Sequence, residues 1–235
     1  MEEVRPVGVV VPEKAVQWPQ RIVHHGHHVD LEPLQAEKHA DALYEVIGKQ
    51  EQSSLWTYFG DGPFADKASF VKNMMANEKS EDPLFYAIID KSTTKPLGYV
   101  ALKRIDITDR AVEVGNVLFS KQLQRTAAAT ECMYLLATYA IDTLGFRRYE
   151  WKCNSLNAPS KRAAKRLGFQ YEGTFRQHRI VKGRNRDTCW FSIIDEEWML
   201  IKTAMENWLD SSNFDGDGKQ RASLGAIRLS LAENA

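Results

Sequence analysis

Three stretches of the sequence carry groups able to do chemistry. Glu113 stands between Val112 and Val114 in the run Ala111–Phe119. Loss of water there favours the protonated carboxyl and equips it to take up a proton, although an exposed residue of an alternating strand explains it equally well. The turn Gln124-Arg125-Thr126 feeds the helical start Ala127-Ala128-Ala129-Thr130. Such a start presents unpaired N–H groups and the positive end of a helix dipole, which together make an anion site. Plain core packing is the other use of an alanine-rich helix start. Asn157-Ala158-Pro159-Ser160 has an N-cap residue followed by proline in the first turn of a short helix. Read alone, Ser160 is a first-turn residue.

These residues need elements to hold them. Helical spacing runs over His39–Gly48 and Ala65–Asn77, and strand-like runs follow at Leu84–Ile89, Leu97–Ile107 and Ala111–Phe119. The turns Thr93–Pro96 and Thr108–Arg110 make these three an antiparallel meander. Ala129, Cys132, Met133, Leu136, Ala140 and Leu144 form one apolar helix face, with Gly145 as its stop. Tyr149, Trp151 and Cys153 alternate with Glu150 and Lys152 as a strand. A short helix ends at Leu167-Gly168, two strands follow near Phe169–Val181 and Asp187–Ile194, and an amphipathic helix spans Glu196–Leu209. The expected order is αα-βββ-α-β-α-ββ, an α/β (α+β) single domain with a mixed, mostly antiparallel sheet flanked by helices. Residues 1–20, with Pro6, Pro12 and Pro19, are expected as an extended arm, 21–210 as the domain, and 211–235 as a flexible tail.

The ordered set Ala111–Phe119, Leu123–Glu131, Asn157–Ser160 and Arg166-Leu-Gly-Phe169 resembles the GCN5-related N-acetyltransferases (GNAT superfamily), in particular the ribosomal-protein N-terminal acetyltransferases. The likeness spans roughly Val29–Trp198. It implies a GNAT fold and acetyl-CoA as co-substrate. It further implies that Gln124, Arg125, Thr126, Ala127, Ala128, Ala129 and Thr130 cradle the pyrophosphate, with Ala127 standing where the family has its first glycine. By the same resemblance, Val117, Leu118 and Phe119 pair their backbone with pantetheine like an added strand. Asn157 bonds the cofactor arm, and a strand N–H near Val117 or Leu118 meets the oxyanion.

An alkylammonium, with a reference pKa of about 10.4, must lose a proton before attack on a thioester. The resemblance assigns Glu113 as that base and Ser160 as the acid for the departing thiolate, in a direct transfer without metal. The acceptor is a small-molecule primary amine or a protein N-terminus; the aromatic and glycine-rich segment Leu55–Phe64 favours the small molecule if Trp56–Phe64 forms a closed wall, and a loop tucked over the core explains that segment equally well. Trp56, Tyr58, Phe59 and Arg176 are the candidate acceptor-binding residues. The contrary reading is a catalytically silent acyl-CoA-binding sensor or interaction module.

Composition sets the outer limits. The 235 residues hold 31 Lys+Arg and 31 Asp+Glu, so bulk charge does not mark a polyanion binder. No nucleic-acid module and no run of about 18 apolar residues is present. Three widely spaced cysteines supply no disulfide framework. Together with Glu2 and Glu3 ahead of the short apolar run Val7–Val11, this predicts a cytoplasmic protein without nucleic-acid or membrane partners, as a monomer or homodimer. His24-His25-Gly26-His27-His28 lacks acidic or cysteine partners at metal-binding spacing. Asn213–Gly218 resembles half a calcium loop but puts Leu224 where the bidentate Glu belongs. Cys132 falls on the apolar helix face and reads as structural. The neutral total conceals a split: residues 147–186 hold twelve Lys+Arg against Glu150 and Glu172, a local +10 balanced by −10 elsewhere.

Overall fold

Apolar runs bounded by turn residues pair into one eight-stranded sheet, in a computed structural model that describes residues 5–234. Residues 1–4 of the expected arm and Ala235 of the expected tail lie outside the described residues. The strands are β1 (His24–His25), β2 (Val29–Pro33), β3 (Leu84–Asp90), β4 (Pro96–Asp106), β5 (Ala111–Phe119), β6 (Arg148–Asn154), β7 (Gln170–Val181) and β8 (Arg184–Ile194). Their order is β1-β2-β3-β4-β5-β6-β8-β7, antiparallel throughout except for β5 and β6. The predicted meander is β3-β4-β5. The predicted order lacked β1 and β2, which hold only two and five residues and so show too little alternation to read.

Strand parity divides the helices between two faces. Phe85, Ala87, Tyr99, Ala101 and Leu118 point to α1 (Ala36–Leu43), the π-helical turn Tyr44–Gly48 that prolongs it, and α2 (Lys67–Lys79). Asp66 opens α2 by accepting from Ser69 N at 2.8 Å, which satisfies one orphan donor of its first turn. Val112, Val114, Tyr149 and Phe191 point the other way, to α3 (Ala127–Thr138) and α5 (Asp195–Leu209). Ala164 and Leu167 of α4 (Ala158–Leu167) join this second core, and Gly168 ends the helix at φ 105°, where a side chain would be strained. Of β5, β6 and β8, only Leu118 at the end of β5 joins the buried core of the first face among the described residues. Its outward side chains there are Glu113, Glu150, Lys152 and Thr188.

The two ends of the chain are tied down differently. Residues 5–20 form no helix or strand, yet Gln17 N donates to Leu144 O at 3.1 Å and Pro19 is buried. The expected flexible tail instead folds back onto the body. Asn213 donates to Trp208 O and accepts from Ala222 N, and α6 (Leu224–Glu233) lays Leu224, Ile227 and Leu231 on the core. Those three positions at i, i+3 and i+7 make an apolar helix stripe, which the Gly, Asp and Ser content of the preceding loop masked.

Candidate active site

The parallel pairing of β5 with β6 is short. It runs from Ala111 opposite Arg148 to Val114 opposite Trp151 and then stops. Beyond that point β5 stays with β4 as far as Phe119, and β6 stays with β8 as far as Asn154. The strands therefore part at Gly115 and Lys152, opening a gap through the sheet. A cleft of about 280 Å³ occupies it, lined among others by Glu113, Val117, Trp151, Lys152, Asn157 and Ser160.

Three irregularities turn side chains toward this cleft. The β4/β5 register shifts between Tyr99 and Ala101, where Asn116 has φ 49°, and again between Lys103 and Asp106, where Arg104 has φ 49°. The β7/β8 register shifts between Phe175 and Arg179, where Gln177 also has φ 49°. A non-glycine residue at positive φ stores local strain, and bulges of this sort re-aim strands beside functional sites. Gly115 leaves room for the lysine across the ladder: a Cβ there would stand 2.4 Å from Lys103 Cδ and 3.1 Å from Glu113 Oε1, so the Lys103 side chain would have to shift.

Glu113 is 5 % exposed and lies among cations. Its Oε2 is 3.1 Å from Lys152 Nζ and 3.3 Å from Arg104 Nε. Lys152 is almost as buried, also pairs with Glu150 at 2.5 Å, and stands over the Trp190 ring at 3.8 Å. Opposite Glu113 across the ladder, Lys103 donates to Asn116 Oδ1 at 3.1 Å, and burial lowers the proton affinity of its amine.

On the far lip, the Asn157 side chain accepts from Ser160 N at 3.1 Å and so caps α4. Ser160 Oγ accepts from Trp151 Nε1 at 2.9 Å, and burial pushes up the pKa of the neighbouring Cys153 thiol. An oxygen that already accepts the indole N–H leaves its own proton to donate.

The start of α3 has the features of an anion cradle. Thr126 caps it, accepting from Ala129 N at 3.1 Å and donating to Leu123 O at 2.7 Å. Ala127 and Ala128 occupy the first two helical positions, so their N–H groups have no intrahelical acceptor. The left-handed residue of the turn is Arg125, at φ 64°, and Ala127 is helical, so alanine in place of glycine costs no strain. Gln124 Nε2 donates to Phe119 O at 2.9 Å and fastens the turn to the end of β5. Thr130 is buried and accepts from Arg166 Nη1 at 3.1 Å, which places one residue of the basic segment beside this helix start.

The expected acceptor residues separate into two groups. Tyr58 and Phe59 line the cleft, and Tyr58 Oη donates to Leu156 O at 3.1 Å across its mouth. Trp56 does not line it. Its ring is fully buried against Phe59, Phe64 and Phe70, with Nε1 donating to Ile47 O at 2.7 Å, so it anchors the loop to the core. Arg176 is exposed and outside the lining; His178, Arg179, Arg186 and Thr188 are the β7 and β8 side chains that reach the cleft. Val117 faces the cleft, whereas Leu118 is buried under α1 and α2, leaving only its backbone available. Sequence analysis missed Lys103, Arg104, Lys152 and Arg179. Strand parity was the signal for Lys103 and Lys152, the latter alternating with Trp151 and Cys153 on ladders without a register shift, whereas bulges hid Arg104 and Arg179.

The histidine run forms β1 and a turn folded onto Glu131. That buried carboxylate accepts from His27 N, His28 N and Val29 N at 2.7, 2.7 and 2.9 Å. Cys132, Cys153 and Cys189 are free and buried. No described helix is long and apolar enough to cross a membrane.

Comparison with known proteins agrees with this architecture. A family model described as an acetyltransferase (GNAT) domain matches residues 28–170. A GCN5-related N-acetyltransferase from Brucella melitensis superposes with a TM-score of 0.89 at 43% identity, covering 91% of this chain and 97% of that one. The N-acetyltransferase p20 of Bacillus licheniformis, itself uncharacterized, is 30% identical over 163 residues, 68% of this chain and 89% of p20. YdaF of Bacillus subtilis, provisionally named a ribosomal N-acetyltransferase, is 24% identical over 174 residues, 72% of this chain and 90% of YdaF. The protein with the parted β5/β6 pair is an acetyltransferase and belongs to the GNAT family.

Proposed function

We propose that the protein transfers the acetyl group of acetyl-CoA directly to a primary amine, with Glu113 as general base and Ser160 as general acid. The observation that carries this reading is that the gap between β5 and β6 exposes both residues to one cleft of about 280 Å³. The residues fit the co-substrate: the free N–H groups of Ala127 and Ala128 suit a pyrophosphate, and the parted edges of β5 and β6 suit the amides of pantetheine. When bound there, acetyl-CoA supplies an activated acyl carbon and a thiolate leaving group.

The chain's own groups divide the work as follows. Glu113 takes a proton from the incoming ammonium, directly or through water, since the amine attacks only when neutral. Lys152 and Arg104 hold its carboxylate in place at 3.1 and 3.3 Å. Backbone N–H groups at the Asn116–Val117 bulge meet the negative charge on the carbonyl oxygen. Trp151 orients the Ser160 hydroxyl, which gives its proton to sulfur. Tyr58 and Phe59 wall the acceptor side, with Lys182 Nζ donating to Trp56 O at 3.1 Å to tie that loop to the β7–β8 turn. The three reduced, buried cysteines fit a cytoplasmic setting.

Free-thiol release from acetyl-CoA across a panel of small amines and unblocked peptides tests the proposal. Turnover with at least one class is expected. Tight CoA binding without turnover on any member overturns it.

A further inference from the structure

Arg179 and Arg186 are direct cross-strand partners on β7 and β8. Their Cβ atoms are therefore roughly 5 Å apart, a placement that is unfavourable for like charges. No carboxylate among the described residues lies within 4.0 Å of either guanidinium. Arg104, also lining the cleft, has only Glu113 as an acid partner, a carboxylate that it shares with Lys152. Burial and the neighbouring Arg179 together push the Arg186 guanidinium below its ordinary proton affinity.

Polar atoms in the same wall are also unused. Arg186 Nε, His178 Nδ1 and Thr188 Oγ1 are each buried without a hydrogen-bond partner, and Thr188 is only 1 % exposed. All three residues line the cleft. A buried donor without a partner costs about 1–3 kcal/mol, and here such donors are gathered beside unneutralised arginines. An anion entering the wall would supply what all of them lack.

This wall belongs to the acceptor and not to the pyrophosphate. Thr188 pairs with Asn154 and follows the parity of Lys152 and Glu113, on the face opposite α3. No residue of 124–130 lines the cleft. The acids at the cleft, Asp61 and Glu113, suit the amine end. A volume of about 280 Å³ is just below the usual range of small-molecule sites, which suits an amine and an anion close together in one small molecule.

We propose that the acceptor is a small amine carrying its own carboxylate or phosphate, which Arg179, Arg186 and Thr188 seat while Glu113 faces the amine. This rests on the acetyl-transfer reading above. Kinetics on matched pairs test it: glycine against glycinamide, and O-phosphoethanolamine against ethanolamine, with an unblocked acidic tripeptide as a further arm. The anionic member of at least one pair should have a kcat/KM roughly tenfold or more higher, in line with charge-assisted hydrogen bonding. That preference should collapse toward unity in Arg179→Gln/Arg186→Gln. Equal or better use of the neutral members, preference for the tripeptide alone, or a preference that survives the double substitution overturns the proposal. Which of the two pairs shows the effect tells carboxylate from phosphate. Failure of acetyl transfer itself is distinguishable, because calorimetry with glycine and O-phosphoethanolamine reads the wall without turnover: heat abolished by the double substitution supports the anion site, and no heat with the wild type overturns it.

Discussion

Glu113 Oε2 lies 3.1 Å from Lys152 Nζ, and neither side chain is more than 7% exposed. Lys152 also meets Glu150, the in-register neighbour of Glu113 on the parallel strand, so one ammonium serves a buried and a half-buried carboxylate. Removing that ammonium leaves like charges side by side in a poorly hydrated site. Lys152→Met is expected to lower unfolding free energy by about 1–3 kcal/mol, less than for a fully orphaned buried charge, because Glu113 keeps Arg104 and Glu150 keeps Arg148. Adding Glu113→Gln should restore part of the loss. Urea unfolding of both single variants and the double variant checks this, and additivity within about 0.5 kcal/mol would show that the pair is not coupled.

Glu113→Gln keeps the shape of the side chain and its place between Arg104 and Lys152 but cannot take up a proton. We expect kcat to fall about 10²- to 10⁴-fold and the pH–rate profile to change shape, with the dissociation constant for CoA within about twofold of wild type. Stopped assays across pH with parallel calorimetry separate the two effects. An unchanged pH–rate profile removes Glu113 as the base.

Ser160→Ala removes both a proton donor and the acceptor for Trp151 Nε1. The structural part is the loss of one hydrogen bond at a partly buried indole, about 1–3 kcal/mol. The chemical part is a kcat lowered about 10²-fold or more if the hydroxyl protonates the leaving thiolate. An acyl donor with a better leaving group than the CoA thiolate distinguishes the two: the kcat deficit should shrink as the leaving group improves, whereas a deficit independent of the leaving group assigns Ser160 to positioning Trp151.

How much of this site the sequence revealed depends on the range over which each residue is held. Asn157, Ser160 and Thr126 were legible because a cap and its helix are neighbours in the chain. Glu113 was legible because its flanking valines betray burial. Arg104 and Arg179 were not, since two register shifts decide which side of the sheet they face, and a shift of one residue exchanges the faces. Trp56 misled for a related reason: an aromatic residue in a glycine-rich loop reads as a wall, and only the packing of Phe64 and Phe70 makes it core. The histidine run reads as a packing or solvated segment, but the partner of its backbone, Glu131, is about 100 residues away in the chain. Glu131 neutralises three N–H donors of that turn, so Glu131→Ala should destabilise the fold by about 2–5 kcal/mol, read by denaturant midpoint at unchanged m. A cost under about 1 kcal/mol would mean the turn is held by its strand pairing with β2 alone.

His24 supplies the pH dependence. Its ring packs between Tyr86 and Tyr139, at centroid distances of 5.2 and 4.3 Å, and burial, aided by the adjacent His25, lowers its pKa to about 4. The unfolded chain, with histidine near 6.5, binds a proton between pH 6.5 and 4 that the folded state refuses. Stability is therefore whole above pH 6.5, falls as the pH drops through this window, and gains no further loss from His24 below about 4. The ring is partly exposed, so solvent screening reduces the effect to roughly 1–2 kcal/mol, below the full value for a shift of that size. His24→Phe keeps the aromatic packing and removes the titration, so its unfolding free energy, measured by urea at intervals from pH 7.5 to 4.5, should decline less steeply than that of wild type. Parallel declines would place the acid sensitivity in other groups, His39 foremost, whose pKa burial also lowers against the pull of Glu32.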